Sequence, residues 1–194
     1  MLGRLLDDVG PPEAGRDPGR PGAADHYGAL VRSIVGQQLS VTAARAIYGR
    51  LLARFDGRPP TPSEVLADDP EELRAAAGLS RGKVSFLRSL AEHVTDGRLE
   101  LDRVAALPDD EVVAELIAVK GIGEWSAHMF LMFQLERPDV LAVGDLGVRR
   151  AVERAYVLPA MPTPAELTAL AEPWRPYRTT ACRLLWRSLD NAPG

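Results

Sequence analysis

From His26 onward the apolar residues of this chain recur at helical spacing, and that periodicity limits the fold more than any other feature. Ala29, Leu30, Ser33, Ile34 and Gln37 keep one helical phase. Val84, Leu87, Leu90, Ala91 and Val94 form a single stripe in the segment that begins at Lys83. Helix punctuation agrees with the periodicity. Ser40 is a good N-cap for a segment over residues 41–55, and Pro108 with Asp109 opens a helix carrying Val112, Val113, Leu116 and Ile117. Thr163 and Pro164 read as the cap and first helical residue of another. No stretch alternates as a strand would, and no segment repeats. The expectation is an all-α protein of about ten short helices.

A length of 194 residues suits one domain or two closely packed lobes. Residues 1–25 are rich in Gly, Pro and charge and are expected to be mostly irregular, with Leu5 and Leu6 able to pack on the body. Residues 57–62 and Gly97 mark loops, and a bend near Arg137 and Pro138 divides a central helical block, 26–137, from a C-terminal part, 138–194. No apolar run reaches the roughly 18 residues that span a bilayer. The start MLGRLLDDVG is too acidic for a secretory signal, so the expected location is cytoplasmic, nucleoid-associated in a prokaryote. The single cysteine, Cys182, excludes an internal disulfide and a four-cysteine zinc or iron–sulfur site. His26, His93 and His128 show no metal-ligand spacing. A net charge of −4 weighs mildly against a nucleic-acid partner, although a small face can be locally basic on an acidic protein.

The most informative stretch runs from Leu116 to Ala127 (LIAVKGIGEWSA). An apolar helix ends, Gly121-Ile122-Gly123 turns the chain, and a second apolar helix starts at once. Glycines permit positive φ and a close backbone approach, and the second helix would then point its first N–H groups outward. Such an end binds phosphate without needing a lysine. On spacing alone, a plain helical hairpin whose glycines serve only the turn accounts for the stretch equally well.

This stretch resembles the helix-hairpin-helix of the DNA glycosylase superfamily in which a Gly/Pro-rich segment and a catalytic Asp follow the hairpin. Residues 138–150 (PDVLAVGDLGVRR) are similar to that segment and its Asp. Residues 31–46 (VRSIVGQQLSVTAARA) resemble the helix-loop-helix that probes DNA in the 3-methyladenine DNA glycosylase II branch, and residues 171–186 (AEPWRPYRTTACRLLW) resemble its C-terminal Trp-x-Pro-aromatic-Arg segment and pocket tryptophan. The resemblance implies two α-helical lobes with a cleft between them, the N-terminal segment packing with the C-terminal lobe. No room is expected for the antiparallel sheet domain that precedes this core in longer relatives. The implied activity is that of a monofunctional glycosylase removing alkylated purines flipped from duplex DNA. The alternatives are a glycosylase for a mismatched or deaminated base and a noncatalytic hairpin module that only holds DNA.

Residue by residue, the resemblance makes Asp145 the catalytic carboxylate; by itself it reads first as an ordinary helix N-cap. Trp125 stands where bifunctional relatives carry a Schiff-base lysine, which an indole cannot replace. Trp125, Met129, Leu146 and Trp186 are implied to line the base pocket, with Met129 and Leu146 where aromatic residues are expected, which implies a more open pocket. The DNA wedge falls on Gln38 first and Leu39 second, within the polar break at Gln37–Leu39. Gly121, Gly123 and Ser126 would offer backbone N–H groups to a phosphate. The carbonyls of Ile117, Val119 and Ile122 would hold a monovalent cation (Na+ or K+), and no other cofactor is expected. Lys120, Arg149, Arg150, Arg178 and Arg183 are candidates for a basic rim. The implied partner is damaged double-stranded DNA, with no membrane, no obligate protein partner and a monomeric chain.

Overall fold

The computed structural model describes Gly3, Asp7, Gly10 and residues 25–190. Most of the N-terminal segment expected to be irregular, with Leu5 and Leu6, lies outside the described residues. The described chain is all-α, with eleven α-helices, one short 3-10 turn and no strand. No helix among the described residues is long and apolar enough to cross a membrane. The chain divides into two compact units between Phe130 and Leu131. That point lies inside a helix and upstream of the Arg137–Pro138 bend expected to separate the blocks. Turn-forming residues mark where the chain changes direction, whereas a unit boundary follows from which side chains pack together.

The first unit contains helices α1 (His26–Gly36), α2 (Val41–Arg54), α3 (Pro62–Ala67), α4 (Pro70–Ala77), α5 (Arg81–Thr95), α6 (Leu101–Ala105), α7 (Asp109–Ile117) and most of α8 (Glu124–Phe133). Short polar side chains start these helices. The Asp25 carboxylate accepts the Gly28 N–H at 2.6 Å, Ser40 accepts the Ala43 N–H, Ser80 accepts the Lys83 N–H, and Thr61 with Glu64 forms a reciprocal capping box. The expected stripe of α5 is buried at Val84, Leu87, Leu90 and Ala91, and α1 buries Leu30, Val31, Ile34 and Val35. These two helices pack on each other and carry α2, α3, α4 and α6 around them. Gln37, in phase with α1 by spacing, leaves the helix as its C-cap with ψ 134.

The second unit contains a loop over residues 134–145, α9 (Leu146–Ala155), α10 (Pro164–Ala171), a 3-10 turn (Glu172–Trp174) and α11 (Arg178–Asp190), with α9 packed on α11. Thr163 and Glu166 complete the expected cap of α10. The loop is laced to the start of α11. The Thr179 hydroxyl donates to the Arg137 carbonyl at 2.6 Å and accepts the Val140 N–H at 3.0 Å, while the Thr179 N–H donates to the Pro138 carbonyl. Arg178 forks onto both carboxylate oxygens of Asp139 at 2.7 and 3.0 Å, and Arg175 adds a bond at 2.7 Å. The loop that delivers Asp145 is thus fixed by bonds to another helix.

Candidate nucleic-acid interface and active site

The hairpin between α7 and α8 is built on two buried apolar side chains, Val119 and Ile122. The Val119 N–H bonds the Leu116 carbonyl and the Ile122 N–H bonds the Val119 carbonyl at 3.0 Å, so the turn closes on itself. Gly121 has φ +92, and a Cβ there would overlap the Phe86 ring of α5. Only glycine satisfies both conditions. Gly123 is different: a Cβ added there meets nothing within 4 Å. The Gly123 carbonyl accepts the first intrahelical N–H of α8, from Ala127 at 3.0 Å. The N–H groups that precede that bond have no partner within the helix. The start of a ten-residue helix, with its positive dipole end, is a geometry suited to an anion.

The polar break after α1 lies beside this hairpin, within the same unit. The Gln37 amide donates to the Gly121 carbonyl at 2.8 Å and to the buried Ser126 hydroxyl at 3.3 Å. Lys83 of α5 donates to the Val35 carbonyl at 2.7 Å and so caps the end of α1. Gln38 takes φ +57 and is exposed, as is Leu39. A left-handed conformation is uncommon for a residue other than glycine. Of the carbonyls expected to hold a cation, that of Val119 already accepts the Ile122 N–H, which leaves it a lone pair. Three neutral carbonyl oxygens are a fitting donor set for an alkali cation.

In the second unit Asp145 is both a helix cap and part of a second polar pair. Its Oδ1 accepts the Val148 N–H at 2.7 Å, at the start of α9. The same oxygen accepts the Trp186 indole N–H at 2.9 Å. Trp186 in turn stacks on Phe133, with centroids 6.0 Å apart and planes 26° from parallel. A Cβ on Gly147 would lie 3.0 Å from Asp145 Oδ1 and 3.1 Å from Trp186 Cδ1, so the small residue makes room for the pair.

The remaining expected residues are spread over both units. Trp125 and Leu146 are apolar yet 46% and 65% exposed, while Met129 is buried. Among the candidate rim cations, Arg178 is committed to Asp139 and is mostly buried, and Arg149 donates to the Pro162 carbonyl. Their bonds make them loop supports. Lys120 is exposed and within 3.3 Å of the Ser85 hydroxyl, and Arg150 is exposed. Burial pushes the Cys182 thiol up to about 11 and lowers the His128 pKa, so neither residue offers ionised chemistry near neutral pH. Sequence reasoning missed three contacts: Trp186 on Asp145, Phe133 on Trp186, and Gln37 on the hairpin. Partners 41 and 84 positions apart leave no local signal.

Residues 31–176 match the family described as HhH-GPD superfamily base excision DNA repair protein. The chain belongs to this superfamily. Within it, the protein is 35% identical over 164 residues to DNA-3-methyladenine glycosylase 1 of Schizosaccharomyces pombe, covering 84% of this chain and 72% of that one. Among solved structures it resembles the Schizosaccharomyces pombe 3-methyladenine DNA glycosylase in complex with abasic DNA, with a TM-score of 0.82, 32% identity, and coverage of 98% and 91% of the two chains. It also resembles a DNA-3-methyladenine glycosidase from Bacillus halodurans, with a TM-score of 0.84, 36% identity, and coverage of 98% and 84%. The superfamily resemblance and the all-α class read from the sequence are both borne out.

Proposed function

We infer that the protein is a monofunctional DNA glycosylase that removes alkylated purines from duplex DNA in base excision repair. The observation that carries this reading is Asp145, a carboxylate held on one oxygen by a backbone N–H and an indole N–H at the start of α9. The relatives named above as 3-methyladenine glycosylases support the substrate class.

The chemistry suits a single fixed carboxylate. A purine alkylated on a ring nitrogen carries positive charge and leaves readily. As its bond to the anomeric carbon breaks, the bonding pair goes to the purine and neutralises it, while the sugar becomes cationic. Asp145 stabilises that cation and directs water to the anomeric carbon, accepting the proton the water loses. Trp125 at the lysine position leaves hydrolysis as the route, with no Schiff base.

DNA is held from the hairpin, where Gly121, Gly123 and Ser126 present the turn and helix start to a phosphate. An alkali cation on the carbonyls of Ile117, Val119 and Ile122 would add a positive charge against the same phosphate. Gln38, exposed in its left-handed turn, fills the gap left by the flipped nucleotide, with the exposed Leu39 next in sequence. Leu146 and Trp186, in the unit that carries Asp145, supply apolar surface for a cationic base.

A panel of duplexes carrying single lesions tests the reading. Release of 3-methyladenine and 7-methylguanine, leaving an intact abasic strand, is expected. Efficient release of uracil or mispaired adenine instead, or a covalent adduct trapped by borohydride, overturns it.

A further inference from the structure

We propose that Gln37 is a positioning residue that sets the register between the phosphate-holding hairpin and the nucleotide-displacing turn. This rests on the glycosylase reading above and concerns how the flipped state is reached. The Gly121–Ile122 peptide is clamped at both ends. Its carbonyl accepts the Gln37 amide at 2.8 Å, and its N–H donates to the Val119 carbonyl at 3.0 Å. The same amide reaches the Ser126 hydroxyl at 3.3 Å, inside the first turn of α8. One side chain thus spans both halves of the anion-binding geometry.

The backbone of Gln37 does the complementary task. It leaves α1 with ψ 134, and the next residue is Gln38 at φ +57. From the other side Lys83 holds the Val35 carbonyl, and Phe86, one turn further along α5, packs against Gly121. The displacing turn and the phosphate turn are therefore both referred to α5. The direct link between them is the Gln37 amide. A wedge acts only if it enters the base stack at a fixed offset from the anchored phosphate, and small misplacements of reacting groups are costly.

This separates two steps. Hairpin N–H groups hold undamaged and damaged duplex alike, because backbone contacts to phosphate carry no base information. The Gln37 link matters when a paired nucleotide must be displaced. Once the nucleotide is already unpaired, there is little left for the wedge to do.

The test uses the full chain with Gln37→Met, which keeps length and packing but cannot donate, and Gln37→Ala. The substrates are duplexes carrying one 7-methylguanine, paired with cytosine or placed opposite an abasic-site analogue, with 2-aminopurine as the neighbouring base. Stopped-flow fluorescence reads displacement, and single-turnover release reads excision. In both variants displacement and excision of the paired lesion are expected to slow about tenfold, the scale of one lost hydrogen bond at a barrier. Excision of the unpaired lesion should stay within roughly threefold of its unsubstituted rate at saturating protein. Equal slowing on paired and unpaired lesions overturns the proposal, as does an unchanged displacement rate. Unfolding of the Gln37→Met protein also overturns it, since the residue would then be a structural support. If the unsubstituted protein releases no 7-methylguanine from either duplex, the glycosylase reading fails instead.

Discussion

The two units each present the start of a helix, and the two starts are filled in opposite ways. At α8 the chain arrives through Gly121 and Gly123, an added Cβ on Gly123 would meet nothing within 4 Å, and the first N–H bonded within the helix is that of Ala127. At α9 the chain arrives through Asp145, whose carboxylate folds back onto the Val148 N–H. Both starts have the same dipole and the same orphan donors. The first is arranged for an anion supplied from outside. The second carries its own anion, and its dipole serves to hold that charge in place. The Trp186 N–H adds a second donor to the same oxygen and ties the carboxylate to α11. One helix start is a binding device, and the other is a charge mount.

The sharpest way to break this comparison is Asp145→Asn. The amide oxygen can still accept from Val148 and Trp186, and Asn caps helices as well as Asp does, so the fold should hold. Only the charge is lost. Single-turnover excision is expected to fall on the order of 100-fold or more. Affinity for duplex should hold or rise, since a negative charge near phosphates has been removed. Near-normal excision by the folded variant would reduce Asp145 to an ordinary cap.

Next in size is Gly121→Ala. The methyl group meets the Phe86 ring and φ +92 is strained for any side chain. A stability loss of about 2 kcal/mol is expected, read as a lowered Tm, together with weakened binding of undamaged duplex. Adding Phe86→Ala should recover part of the loss by relieving the overlap, but not the part due to φ. Full recovery, or no loss in the single variant, would show that the turn tolerates other backbone paths.

Trp186→Phe sharpens the other side. It keeps an aromatic ring against Phe133 and removes the donor to Asp145. Excision is expected to slow about tenfold, as for loss of one hydrogen bond to a charged group. KM should change little if the indole mainly steadies the carboxylate. A rise in KM with kcat unchanged would instead assign Trp186 to holding the base.

Much of this was legible in the sequence where the signal is local. The capping residues Ser40, Thr163 and Asp145, the stripe of α5 and the Gly121–Gly123 turn each rest on neighbours a few positions away. The contacts that give the site its geometry are not local. Nothing near Trp186 signals that its N–H goes to Asp145, because α9 and α11 meet only through packing. Gln37 sits in phase with α1, and its place outside the helix comes from a bond to a hairpin 84 positions away. Arg178 carries a charge that suggests a surface, and its partner Asp139 turns it into a loop support.

The smallest effect is expected at Gly123, and it is the most pointed test of the open helix start. Gly123 shares the neighbour Ile122 with Gly121, and spacing alone treats the two alike. The structure does not. Its φ is not positive and an added Cβ touches nothing within 4 Å. Gly123→Ala should therefore fold normally, with a cost under about 1 kcal/mol from the poorer cap. The new methyl group would stand at the mouth of the α8 start, where a phosphate would approach the N–H groups. Affinity for undamaged duplex should fall a few-fold, and excision should fall only as far as binding does at subsaturating protein. Because no charge is lost, the slope of affinity against salt concentration should not change. Chemistry at α9 should be untouched under saturating protein. If duplex affinity is the same with and without the methyl group, the α8 start is not where phosphate sits, and the contrast between the two helix starts loses its first half.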